Sequence, residues 1–348
     1  LRADRISTTA RHLRGPLLLH TMFKDLIIYR IAADWLPDFA ALEEALGKAP
    51  FAECGPTQQN SQGWTPPRGE ENGALAEAVA GQWILRYTAE EKILPASVVA
   101  RKVEQKAKAI EDAEGRKPGK KEKKDLKDEA ILDLLPMSHT RISSMWVWID
   151  PAERLLMLGT GTQSRADVVV SMLVQQLPGF ALGLLDTQTP PQAAMAQWLL
   201  DQDAPAGFTI DRSCELRAMD ESKAVVRYGS HPLDIGEVRE HIKQGKRPTR
   251  LALTYGDRVS FVLNQALQLR GIHMLDSTTD GRAQDVDAFD ADVALATGEL
   301  VRLIPALVKA LGGEGRQELG RGLAPHNPNA VTGPATAPAD TAPNESPF

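Results

Sequence analysis

An α+β fold built on antiparallel sheets is what this sequence predicts, and three observations point to it. Short β-branched or aromatic runs at 26–31, 82–87 and 145–150 are separated by stretches of helical periodicity. The runs at 145–150 and 154–158 are joined by only Pro151-Ala152-Glu153, a link that forces an antiparallel hairpin. Between 208 and 275 five further strand-like runs follow one another with a single helical stretch among them.

Taken in order, the run at 26–31 reads as a buried strand, followed by a helix over 38–46 with Leu42 and Leu46 on one face. Gly63-Trp64-Thr65-Pro66-Pro67 and Arg68-Gly69 read as punctuation of a long loop, and 82–87 resumes as a strand. Trp64 and Trp83 are expected in the core. Over 96–113 Val99, Val103, Ala107 and Ile110 form a helical stripe that Gly115 and Pro118-Gly119 stop. A second helix over 120–135 ends at Pro136, so the two should form an αα-hairpin projecting from the β-rich fold as a finger.

Helices over 165–177 and 191–200 follow the 145–158 hairpin. Strands are expected at 208–210, 224–228, 250–255, 259–263 and 268–275, with a helix over 235–244 between the second and third. The last ordered element is a helix over 286–311, with Leu295, Leu300, Leu303 and Leu307 on its apolar face and Gly312-Gly313 as its stop. Beyond it a Gly-, Pro-, Ala- and Thr-rich tail predicts disorder.

These elements divide the chain of 348 residues into six stretches. Residues 1–21 are expected to be a non-native or disordered extension that does nothing, with Met22 as the natural start, and 22–95 are the first part of a central α+β domain. Residues 96–136 are the basic helical finger, 137–200 continue the central domain, 201–314 are a C-terminal α+β region, and 315–348 are the tail.

A hydrophobic share of 43% is enough to build packed cores, while no apolar run reaches the roughly 20 residues that span a bilayer. A cytoplasmic protein with no membrane partner is the expectation. Cys54 and Cys214 stand far apart, support neither a disulfide framework nor a zinc site, and are read as buried apolar residues. The net charge of −6 argues at first sight against a nucleic-acid partner, so the placement of the basic residues matters more than their sum.

Common catalytic signatures are missing from the sequence: it has no GxxxxGK[ST], HExxH, GxSxG or GxGxxG, and Gly159-Thr160-Gly161 lacks a third glycine. The seven histidines show no metal-ligand spacing. No cofactor, metal, small-molecule substrate or catalytic residue is therefore expected. Asp285, Asp287, Asp290 and Asp292 form an acidic group that a metal-dependent exonuclease could use, or that caps the start of the last helix.

The basic run is denser: Arg116, Lys117, Lys120, Lys121, Lys123, Lys124 and Lys127 are interrupted by few acids. Lys120, Lys124 and Lys127 stand at i, i+4 and i+7 and so share one helix face, as a surface tracking a phosphate backbone requires. A solvated, solubilising helix face has the same pattern, and so does a site for an acidic protein partner.

Phe23-Lys24-Asp25-Leu26 with Tyr29-Arg30, Cys54-Gly55, Gly63-Trp64-Thr65-Pro66-Pro67 and Glu90-Glu91-Lys92-Ile93-Leu94-Pro95 together resemble phrases of the RdgC family. The resemblance continues through Leu126-Lys127-Asp128-Glu129, Leu134-Leu135-Pro136, Trp148-Ile149-Asp150, Gly245-Lys246, Leu251-Ala252-Leu253, Phe289-Asp290-Ala291-Asp292 and Thr297-Gly298-Glu299-Leu300 to Leu311-Gly312-Gly313-Glu314. It thus covers Met22 to about Glu314. The Gly-Trp-x-Pro-Pro and Glu-Glu-Lys-Ile-Leu-Pro phrases in this order carry most of its specificity.

The resemblance implies a nucleoid-associated, non-enzymatic protein that binds double-stranded DNA without sequence preference, forms half of a dimeric ring around it, and antagonises recombination promoted by RecA. Such a ring can line its hole with basic side chains while an acidic exterior sets the net charge. Arg116, Lys117, Lys127 and Arg227 match basic positions of the family, and Lys120, Lys121 and Lys124 extend the same surface. His139 stands where family members have an aromatic residue that closes a subunit contact. Ser230 and His231 replace Lys and Gln on the DNA side, so that loop is expected to contribute little.

Overall fold

The computed structural model describes residues 22–275 and 288–315. Two antiparallel sheets organise it, and the fold is α+β as the sequence predicts. The first strand, β1 (Ile27–Ile31), shows why its apolar run is continuous: Ile27, Tyr29 and Ile31 enter one core cluster while Ile28 enters the other. Successive strand residues face opposite sides, and both sides of this sheet are covered.

After β1 comes α1 (Phe39–Leu46), capped by Asp38, whose carboxylate accepts from the Ala40 and Ala41 amides. Next are β2 (Asn60–Thr65), β3 (Ala76–Val79) and β4 (Gln82–Lys92). Here the structure corrects the expected long loop: Gly63, Trp64 and Thr65 lie in β2, paired with Thr88, Tyr87 and Arg86 of β4. A Cβ on Gly63 would stand 2.5 Å from the Phe51 amide nitrogen, so the glycine admits a crossing backbone. That crossing segment bonds to β2 from Phe51 N to Trp64 O and from Trp64 N to Ala49 O. Trp64 and Trp83 are both buried, as expected.

The chain continues as α2 (Ala96–Glu114), ended by Gly115 in the left-handed conformation, and α3 (Lys120–Leu134), followed by a single 3-10 turn at Leu135–Met137. Strand β5 (Thr140–Asp150) starts earlier than its apolar run because β4 pairs with it from Lys92↔Thr140 to Trp83↔Ile149. It forms the expected hairpin with β6 (Leu155–Leu158). Then follow α4 (Gln163–Gln176), the short β7 (Leu182–Leu184) and α5 (Pro191–Asp201). The first sheet runs β2-β4-β5-β6-β1-β7, with β3 also on β4.

The second sheet, of order β12-β11-β10-β8-β9, is made from β8 (Phe208–Arg217), β9 (Val225–Tyr228), β10 (Arg247–Tyr255), β11 (Val259–Asn264) and β12 (Leu269–Met274). Helix α6 (Gly236–Lys243) lies between β9 and β10. The final helix, α7 (Ala288–Ala310), contributes Val293, Leu300, Leu303, Ile304 and Leu307 to the core.

One cluster joins α5, α6, α7 and the second sheet to one face of the first sheet, through Ile28, Ile84, Trp148, Leu155 and Met157. The opposite face of the first sheet is covered by α1 and α4. A backbone bridge between Leu26 and Leu269 ties the entry of β1 to β12. Among the described residues no helix is long and apolar enough to cross a membrane. The expectations for 1–21, for the tail after Gly315, and for residues 286 and 287 of the last helix lie outside the described residues.

Candidate nucleic-acid interface

Helices α2 and α3 pack against each other, and Val99 of the first and Leu126 and Ala130 of the second are buried. Charge then sorts itself across the pair. Lys106 of α2 reaches Asp133 at 2.9 Å and Glu129 at 3.0 Å, and Lys102 lies 3.9 Å from Asp133. Hydrogen bonding to Asp133 and Glu129 raises the Lys106 pKa, and Lys106 in turn lowers that of Asp133. At the turn between the helices, Arg116 bonds Glu122 at 2.8 Å and Glu114 at 2.7 Å, and Glu122 also accepts from the Gly119 amide. Lys117 lies 3.7 Å from Glu111.

Three acids of α3, namely Glu122, Glu129 and Asp133, are therefore drawn to the turn or to α2. Lys120, Lys121, Lys124 and Lys127 are exposed and make no ion pair among the described residues. Lys123 and Lys127 border a groove of about 660 Å³ whose apolar lining includes Val99, Val103, Ala107 and Ile131. Arg116 and Lys117 are exposed too, at 54% and 79% for their side chains, but each already faces a carboxylate. Exposed pairs of this kind are worth about 0–1 kcal/mol, so a phosphate can compete for them.

Arg227 sits elsewhere, on β9 of the second sheet. Its Nε donates to Glu215 at 2.7 Å, and its side chain is 72% exposed whereas that of Glu215 is 7% exposed. The Arg227 hydrogen bond holds the Glu215 carboxyl below its ordinary pKa, aided by a bond from Thr249. Sequence reasoning missed the surroundings of this arginine: Arg217, Arg247 and Arg250 lie on neighbouring strands, and only strand register brings them near.

His139 is exposed just beyond the 3-10 turn, and its carbonyl accepts from the Ile93 amide. Met137, Ile142 and Ile93 near it are exposed at 78%, 55% and 47%. His231 is exposed, with its amide bonded to the Arg212 carbonyl and Nδ1 2.8 Å from the Pro232 carbonyl.

Of the acidic group, Asp285 and Asp287 lie outside the described residues. Asp290 accepts from Arg68 at 2.6 Å, and Arg68 also bonds Glu77 and stacks over Phe289 at 4.8 Å. Among the described residues no cluster of His, Cys, Asp or Glu is arranged to hold a metal ion.

Two of the motif phrases staple each other. Buried Glu90 accepts from the Cys54 amide at 2.5 Å, and buried Lys92 donates to the Gly55 and Pro56 carbonyls at 2.7 and 2.8 Å. Cys54 is only half-buried, which corrects the expectation for it; Cys214 is buried, and burial pushes its thiol up to about 12. The phrases Cys54-Gly55 and Glu90–Pro95 are thus halves of one hydrogen-bonded unit.

Comparison with known proteins matches residues 21–314 to the family described as "Putative exonuclease, RdgC". The chain belongs to the RdgC family. It is 43% identical over 299 residues to the recombination-associated protein RdgC of Dechloromonas aromatica, covering 84% of this chain and 98% of that relative. The RdgC protein of Herminiimonas arsenicoxydans is 42% identical over 296 residues, with 84% and 98% covered. That of Bordetella pertussis is 40% identical over 298 residues, with 84% and 99% covered.

Proposed function

We propose that this RdgC-family protein binds double-stranded DNA without sequence preference, encircling or coating it as a ring-shaped homodimer, and thereby restrains RecA-mediated recombination at the nucleoid. The observation that carries this reading is the sorting of charge on the helix pair. Among the described residues Lys120, Lys121, Lys124 and Lys127 face solvent without carboxylate partners, while Glu122, Glu129 and Asp133 are engaged by Arg116 and Lys106. Lysines held as point charges on a helix face suit phosphate oxygens and carry no base readout. The relatives' names, recombination-associated protein RdgC, supply the link to recombination.

His139, with exposed Met137 and Ile142 near it in sequence, is the proposed subunit contact closing the ring. A histidine there in place of an aromatic residue makes a looser closure. Occupancy of duplex by such a dimer would hinder assembly of a recombinase filament by mass action.

The family description also mentions an exonuclease, and a nuclease would draw on Asp285, Asp287, Asp290 and Asp292. The engagement of Asp290 by Arg68 favours the binder. The test is charge reversal in the full chain, Lys120→Glu with Lys124→Glu and Lys127→Glu. Binding to two labelled duplexes of unrelated sequence should weaken equally, and the salt slope should shrink by about three. Unchanged affinity and slope would take the helix pair out of DNA binding.

A further inference from the structure

At the end of α7 a cavity of about 390 Å³ opens between that helix, the start of β6 and the segment that follows β7. Its floor is apolar: Leu155, Leu185 and Ile304 are buried members of the core, and Val308 and Pro305 extend the lining toward solvent. Backbone pairing fixes the far wall. Gly313 donates to the Val308 carbonyl at 2.9 Å and accepts from the Gln188 amide at 3.0 Å, while Gly315 donates to the Asp186 carbonyl at 3.0 Å. A bridge between Thr187 and Glu314 joins the same two segments. Gly312 and Gly313, at φ 83° and 94°, take the left-handed backbone that turns the chain back over the helix end. The cavity is thus formed before any ligand arrives.

Charged side chains border this floor, and two of them cancel each other. Arg30 donates through Nε to Glu314 at 3.1 Å and through Nη2 to the second oxygen of the same carboxylate, while its Nη1 bonds the Glu153 and Arg154 carbonyls. With its side chain 17% exposed, Arg30 is a fixed part of the wall. Lys309 and Glu153 also border the cavity and are exposed, and neither makes an ion pair among the described residues. One ammonium and one carboxylate therefore stand ready at the mouth of an apolar recess.

We infer that this cavity binds a small zwitterion with an apolar side chain, of the class of the aliphatic and aromatic α-amino acids. Its carboxylate would pair with Lys309, its ammonium with Glu153, and its side chain would lie on Leu155, Leu185 and Ile304. Charge complementarity carries the assignment. A fatty carboxylate would bring a like charge toward Glu153, and an apolar amine would do the same to Lys309. A polar side chain would lose its water against Leu185 and Ile304 with no hydrogen bond in return. A volume of about 390 Å³ falls at the small end of ligand pockets, which span roughly 300–1,000 Å³, and suits one amino acid better than a nucleotide. The cavity shares no residue with the helix pair, so the inference stands apart from the proposed DNA binding.

The test is equilibrium dialysis of the full chain against L-leucine, L-phenylalanine, L-serine, N-acetyl-L-leucine and L-leucinamide. It is repeated on Lys309→Gln and Glu153→Gln, whose exposed positions leave the fold intact, as circular dichroism checks. Saturable binding of leucine and phenylalanine is expected, with the acetylated and amidated probes about tenfold weaker because each lacks one charge. Lys309→Gln should weaken leucine about tenfold and leave leucinamide unchanged, and Glu153→Gln should weaken leucine alike and leave N-acetyl-leucine unchanged. A general loss of structure would not give this crossed pattern. Absence of saturable binding of leucine and phenylalanine up to about 10 mM would overturn the inference. So would serine binding as tightly as leucine, or a leucine affinity indifferent to both substitutions.

Discussion

Arg68, in the turn between β2 and β3, holds Asp290 in the first turn of α7 at 2.6 Å. The contact joins the N-terminal part of the first sheet to the last helix, and it engages one of the four carboxylates that a metal-dependent nuclease would draw on.

Asp290→Ala should therefore act as a modest structural change. With Asp290 39% exposed, the loss of stability should stay within about 0–1 kcal/mol. Thermal unfolding checks this, alongside incubation of labelled DNA ends with Mg²⁺. DNA that the unmodified chain degrades and the variant spares would restore the nuclease.

Glu215 gives a pH-dependent expectation. Its carboxyl is held below its ordinary value in the folded protein, chiefly by the Arg227 hydrogen bond. The stabilisation this provides is fully present above the unfolded carboxyl value of about 4.3 and fades as pH falls through the lower folded value. Urea unfolding of Glu215→Gln and the unmodified chain should differ at pH 7 and converge in acid. A gap independent of pH would contradict the assignment.

Lys92 should matter for stability although it is a lysine. Lys92→Met would leave the Gly55 and Pro56 carbonyls without their donor at a buried site, at a cost of about 1–3 kcal/mol. Denaturant titration reads it, and a loss close to zero would show that water replaces the ammonium.

Leu300 is fully buried in the cluster shared by α7 and both sheets. Leu300→Ala should cost about 2–5 kcal/mol by removing packed methyl groups and leaving a cavity. A cost below about 1 kcal/mol in urea unfolding would mean that α7 contributes little to the common core.

Where periodicity is strong the sequence was readable. The stripe Val99, Val103, Ala107 placed α2, Gly115 ended it in the left-handed conformation, and the run at 26–31 read as a buried strand. Strands β2 and β3 escaped because Asn60–Thr65 and Ala76–Val79 carry little apolar alternation; they exist through backbone pairing with β4. The polar start of β5 escaped for the same reason.

At the candidate interface, the exposed lysines of α3 were visible in sequence, and the pairing of Arg116 and Lys117 could have been suspected from Glu111, Glu114 and Glu122 close by. Arg217, Arg247 and Arg250 could not have been grouped. Their proximity depends on cross-strand register and on one extra residue at Thr249, neither of which leaves a periodic trace.

The central claim is tested most directly by equilibrium binding of the unmodified chain to duplexes of unrelated sequence, from about 50 to 200 mM salt with Mg²⁺ present. Similar affinities, a steep negative salt slope and DNA recovered intact are the predicted result. No binding at the lowest salt, or a strong preference for one sequence, would contradict the account.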